Sequence, residues 1–168
     1  MVTKFRLRFT LLVAGMVWTL AACMSSPPRS LPAEVLRSPE GIAEWQRGDD
    51  ALKKGMQHAL EQYRLEASLK SLRGYEEAVR AFLDHGFDLY RAYQSSKLEP
   101  PADLIPSLDQ RTGLLMDVAD EYIKQGSLAV GEGIASEVVH NYSDLPVMAP
   151  AQRRAEAVLL RYRYRQDY

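Results

Sequence analysis

From Ile42 onward, apolar residues return mostly every three or four positions and occasionally at five. Ile42 and Trp45 lead into Leu52, Met56, Ala59, Tyr63 and Ala67, then Leu72, Tyr75, Val79, Phe82 and Phe87, with charged residues between them. A 3.6-residue period of this kind puts the apolar side chains on one face of a helix. No alternating run of β-branched residues interrupts it, so the expected fold class is all-α: a helical bundle or stacked αα-hairpins.

Punctuation divides the pattern. Ser38-Pro39-Glu40 reads as a helix start, with a serine N-cap, proline at the first helical position and an acid in the first turn. The long first stretch is expected to break near Arg73-Gly74, because an interior glycine weakens a turn by ~1 kcal/mol relative to alanine. Glu99-Pro100-Pro101 ends it. Pro106 is expected to bound the next helix, Ser107 to Gln125; Gly126-Ser127 is a turn, Leu128 to Tyr142 a further helix, and the last begins near Met148-Ala149-Pro150. About 130 residues in five or so helices suffice for one domain with its own core. That core has no covalent help, since the chain holds a single cysteine.

The first 22 residues have a different grammar. Lys4, Arg6 and Arg8 precede a twelve-residue apolar run, Phe9 to Leu20, followed by Ala21-Ala22 and then Cys23. A spanning helix needs ~20 apolar residues, so this run reads as a cleavable signal rather than a membrane span. Leu20-Ala21-Ala22-Cys23 resembles the lipobox of bacterial lipoproteins. That resemblance implies a signal peptide at 1–22, cleavage before Cys23, and a covalent lipid on Cys23 with an acylated amino group. Several chains would anchor stably where one binds only reversibly. Met24, rather than an aspartate, follows the cysteine, and in such lipoproteins this favours the outer membrane with the domain facing the periplasm. Residues 23–38 are expected to carry the lipidated cysteine and a Pro/Ser-rich tether, and 39–168 a single helical domain. The MSSPPRSLP stretch of 24–32, extended at ~3.1 Å per residue, would hold that domain roughly 20–40 Å from the bilayer. The leader takes three of the 21 basic residues and none of the 22 acids, leaving 18 bases against 22 acids. A chain of about −4 has no general basic character for nucleic acid.

Helix, glycine turn, helix and proline over residues 119–152 is similar to a tetratricopeptide unit. Gly126 falls at its turn glycine, Tyr122 and Tyr142 at its aromatics, and Pro150 at its closing proline; Ala129, Val138 and Gln125 depart from the pattern. An ordinary αα-hairpin accounts for the same residues. Either way the implied use is a groove for a protein partner.

No catalytic motif stands out. His58, His85 and His140 have no close metal spacing; Asp84-His85 with Asp88 one turn on reads as a polar helix face. Gly131-Glu132-Gly133 lies inside a helical pattern, not after a strand. Asp49-Asp50, Glu76-Glu77 and Asp120-Glu121 read as surface charge. Catalytic, cofactor and metal residues are therefore expected to be none, and the protein is read as a non-enzyme. Tyr63, Tyr75, Phe82, Phe87, Tyr90 and Tyr93 read as core packing first and as a partner groove second. The C-terminus concentrates arginine and tyrosine: Arg161, Tyr162, Arg163, Tyr164, Arg165 and Tyr168, preceded by Arg153-Arg154. Complementing the helix dipole explains the arginines; contact with a partner or an anionic surface is the alternative. The expected function is a lipid-anchored adaptor or assembly factor for an envelope protein partner. Binding of an envelope glycan or anionic surface through the C-terminus stands as the alternative.

Overall fold

The computed structural model describes residues 33–141 and 149–166. Among these residues there are six helices and no strand: α1 (Ala33–Arg37), α2 (Pro39–Glu66), α3 (Leu69–Ser95), α4 (Leu104–Lys124), α5 (Leu128–Asn141) and α6 (Ala149–Gln166). Each helix packs on the next in sequence, α1 also touches α3, and α4 also touches α6. The result is an all-helical stack.

Local signals set the ends. The Ser38 side chain accepts from the Gly41 amide at 3.2 Å and Pro39 begins α2, as the sequence indicates. Helical structure starts earlier, however. α1 lies within the 23–38 stretch read as tether, and its Leu36 is buried. The α2–α3 break is not at Gly74 but at Ala67-Ser68. Ala67 takes a left-handed conformation (φ 47°) and donates its amide to the Tyr63 carbonyl. Ser68 and Ser71 then cap α3 reciprocally, each side chain bonding the other's backbone amide. With both broken ends satisfied there, α3 runs unbroken through Gly74. α4 begins at Leu104, two residues before the expected boundary; Pro106 sits in its first turn, where a missing N–H costs nothing. Gly126 (φ 81°) makes the expected α4–α5 turn.

Burial is graded across the stack. α3 and α4 form its centre: Leu72, Val79, Leu83, Leu115, Met116, Val118 and Ala119 are all at most 1% exposed, so hydrophobic burial is concentrated on these two helices. α2 is an outer helix with Met56 its only fully buried residue, and Trp45, Leu52, Leu60 and Tyr63 pack half-buried on the centre. The aromatic series lies in this core, with Tyr75, Phe82, Phe87 and Tyr90 buried and Tyr63 and Tyr93 at its edge. Ala119 and Gly131 bring α4 and α5 close. A Cβ on Gly131 would stand 2.8 Å from the Ala119 carbonyl oxygen and 2.5 Å from Ile123 Cγ1.

Candidate functional site

Two ends of the stack carry unlike chemistry. At the end where α2 begins, Arg111 of α4 is 4% exposed. Its register explains the burial: Leu108, Thr112 and Leu115 share its inward face. The guanidinium donates to both Asp49 carboxylate oxygens (2.7 and 2.8 Å), to the Phe82 carbonyl (2.7 Å) and to Ser107 Oγ (3.2 Å). It also lies 3.8 Å from the Phe82 ring centroid. Gly86 makes the approach possible, because a Cβ there would meet Leu108 Cδ2 at 2.8 Å and the guanidinium at 3.0 Å. A bidentate pair with further hydrogen bonds is the arrangement that makes a buried arginine tolerable. Beside it opens a cleft of about 300 Å³ lined by Ile42, Trp45, Leu89, Tyr93 and Leu104. Trp45 stacks flat on His85, centroids 4.8 Å apart, and its carbonyl lies 3.2 Å from His85 Nε2. The buried Trp45 indole N–H has no partner among the described residues. With its carboxylate matched to its guanidinium, this junction offers a cleft of mixed lining, to which Gln46, Asp103 and Ser107 add polar groups, and a neutralised charge, not an acid/base pair.

At the other end, where α2 meets α3 and α4 meets α5, tyrosine hydroxyls reach carboxylates on neighbouring helices. Tyr63 donates to Glu121 at 2.7 Å and accepts from Gln125 at 3.0 Å. Tyr122 donates to Glu76 at 2.8 Å; Arg80 bridges Glu76 and Glu137, both at 2.8 Å. Burial, then the Glu76 carboxylate, pushes the Tyr122 phenol up to about 12. Burial and Glu121 raise Tyr63 likewise, while Lys124 and then Tyr63 hold the Glu121 carboxyl below its usual range. Next to these ties lies an open groove of about 610 Å³ lined by Leu69, Lys70, Arg73, Glu76, Tyr122, Ser127 and Val130. Leu65 (86% exposed), Leu69 (48%), Leu128 (41%) and Val130 (45%) all belong to this end. Leu160 of α6 is the other large apolar side chain as exposed among the described residues.

The sequence-predicted contact residues fall unevenly. α6 is helical to Gln166 and Arg161 is exposed; the side chains of Tyr162, Arg163, Tyr164 and Arg165, and all of Tyr168, lie outside the described residues. Arg154 turns inward instead, pairing with Asp117 and Asp120 and donating to the Gly113 carbonyl at 3.3 Å. Cys23, residues 1–22 read as a signal, and Tyr142 also lie outside the described residues. His58 meets Gln62, His85 is occupied by Trp45, and His140 Nδ1 lies 2.7 Å from the Ser136 carbonyl oxygen. Among the described residues no three metal-ligating side chains gather. Burial, and then Asp88, raise the Asp84 carboxyl.

The acid pairs are corrected in part. Asp49, Glu76 and Glu121 are not merely surface charge but cross-helix partners of Arg111, Tyr122 and Tyr63. Arg111 itself escaped the sequence reading. Its signal was an arginine standing at the apolar register between Leu108 and Leu115.

No family model matches this sequence, and neither a curated protein nor a solved structure matches it. No helix among the described residues is long and apolar enough to cross a membrane.

Proposed function

We propose that this protein is a lipid-anchored, non-enzymatic adaptor that holds or escorts an envelope protein partner at a bacterial outer membrane. One observation carries the reading. The chain enters the stack through α1, which packs against the first turn of α2 at Gly41, while the exposed leucines gather at the far end of α2. Twenty-eight residues at 1.5 Å each separate the two by about 40 Å. A tether at one end and an uncovered apolar surface at the other is the layout of a holder. Leu20-Ala21-Ala22-Cys23 supplies the anchor in this reading, with lipid on Cys23 and no other cofactor. The α4–α5–α6 succession, with its Gly126 turn and α4 packed on α6, is compatible with a tetratricopeptide-like unit. Tethering raises a partner's effective concentration at the membrane without any new contact.

The test is membrane fractionation of Cys23→Ala. The variant should leave the membrane fraction with its helix content unchanged, and its persistence there would refute the anchor. Exposed Arg161 at the end of α6 keeps the alternative in view, binding of an envelope glycan or anionic surface. Deleting residues 161–168 should then abolish co-sedimentation with acidic polysaccharide while leaving the domain folded.

A further inference from the structure

We infer that the open groove between the first turns of α3 and the start of α5 docks an amphipathic helical segment of a partner protein, apolar on its inner face and acidic on its flanks. The assignment rests on the adaptor reading and names the chemistry of what is held.

Three observations converge on it. The surface is concave, and two of the exposed apolar residues, Leu69 and Val130, line it, with Leu128 and Leu65 at the same end. Leaving such side chains in water at one place, when Leu72, Val79 and Leu83 farther along α3 are at most 1% exposed, marks an interaction surface. Of the three charged residues that line the groove, Lys70 and Arg73 are cations and Glu76 is the one acid. Glu76 is committed within the fold to Arg80 and Tyr122. Among the described residues Arg73 pairs with Glu77 alone, at 3.4 Å with both side chains at least 70% exposed, a pair that competes weakly with another carboxylate. Lys70 shares the lining and makes no salt bridge among the described residues. An apolar floor with a cationic edge complements leucine-type anchors flanked by glutamate or aspartate, the helix-in-groove mode of recognition. The walls are also fixed. Tyr122–Glu76 locks α4 to α3, and Arg80–Glu137 locks α5 to α3, so the groove is preorganised and ordering costs on binding are small.

The probes are two synthetic 18-residue helical peptides with leucines at three- and four-residue spacing, one flanked by glutamates and one by lysines. The full lipidated chain is held in vesicles of zwitterionic phosphatidylcholine, and peptide binding above that to protein-free vesicles is followed by fluorescence anisotropy. The glutamate peptide should bind at least tenfold more tightly than the lysine peptide. Leu69→Asp with Val130→Asp should weaken it at least tenfold, and Lys70→Glu with Arg73→Glu should reverse the preference between the peptides. All four positions are exposed, and circular dichroism verifies that the variants keep their helices. Equal binding of both peptides, no binding, or binding indifferent to both pairs of substitutions would overturn the proposal. A benzoylphenylalanine at position 128 adds an independent arm: photo-crosslinking to peptide supports the groove, whereas crosslinking to phospholipid assigns this end to the bilayer and overturns it. The two readings fail separately. An envelope partner retained undiminished by Leu69→Asp/Val130→Asp overturns the groove and leaves the adaptor standing, whereas Cys23→Ala protein that stays on membranes overturns the anchor, with the peptide preference still judging the groove.

Discussion

The two ends of α4 solve the same problem in opposite ways. Near its start, Arg111 is drawn into the core and surrounded by acceptors from α2, α3 and α4. Near its finish, Tyr122 and Glu121 make cross-helix bonds at the margin of the core, and leucines beyond them remain in water. Both ends carry polar ties, so polarity does not distinguish them. What differs is how much apolar surface is covered around the ties. The first end is organised for cohesion, the second for availability, and substitutions should separate the two cleanly.

The largest loss is expected at Arg111. Replacing it with methionine leaves Asp49 without its partner beside the core, and breaking one side of a buried pair costs about 3–5 kcal/mol. The Asp49 side chain is 17% exposed, which places the expectation near the lower bound. Urea unfolding measures it directly. Arg111→Met combined with Asp49→Leu should recover most of the loss, since an apolar pair of similar volume has no charge to strand. A single variant losing under 1 kcal/mol would erase the contrast between the ends.

Glycine substitutions sharpen it. Gly131→Ala places a methyl group 2.8 Å from a backbone oxygen that cannot rotate away, and should cost about 1–3 kcal/mol. Gly86→Ala should cost about as much, by prising Leu108 and Arg111 from α3. Gly74→Ala meets nothing within 4 Å and should instead stabilise the fold by up to about 1 kcal/mol. Thermal unfolding of the three variants side by side reports the sign as well as the size.

Gly74 also shows what the sequence conveyed and what it hid. Helical periodicity placed α2 to α6 and most of the core, because burial of one face leaves a period in the residues themselves. The Ser38-Pro39 start and the Gly126 turn were legible for the same reason, each being fixed by local chemistry. The α2–α3 break was not. It depends on an alanine accepting a left-handed conformation (φ 47°) and on two serines capping each other, neither of which looks like a stop beside a nearby glycine. The Arg111–Asp49 pair was hidden for a different reason. Its partners lie 62 residues apart, and only the packing of α2 beside α4 brings them together. The exposed leucines were hidden too, since a period shows which face is apolar but not whether a neighbour covers it.

Tyr122 should give an intermediate effect and a pH signature. Removing its hydroxyl in Tyr122→Phe forfeits one hydrogen bond to a carboxylate, about 1–2 kcal/mol at neutral pH. The fold holds this phenolic proton up to about 12, against an ordinary value near 10. Between those values the unfolded chain has lost the proton and the folded one keeps it, so stability falls as pH rises from about 10 to about 12. Burial raises Tyr75 in the same direction. Tyr122→Phe should therefore flatten the alkaline fall without abolishing it, and an unchanged slope would show that neither burial nor Glu76 holds this proton in the fold.

The smallest effect on stability is expected where the largest effect on binding is. Leu69→Asp, or Leu65→Asp one turn away across the α2–α3 break, removes side chains that are 48% and 86% exposed. Little burial is lost, and exposed substitutions of this kind usually stay within about 0.5 kcal/mol. A carboxylate at position 69 also lies in the first turn of α3, where the helix dipole favours negative charge. The unfolding midpoint should then remain in place while capture of the acidic peptide falls. If Leu69→Asp lost as much stability as Gly131→Ala, Leu69 would belong to the core, and the uncovered end would be cohesive after all.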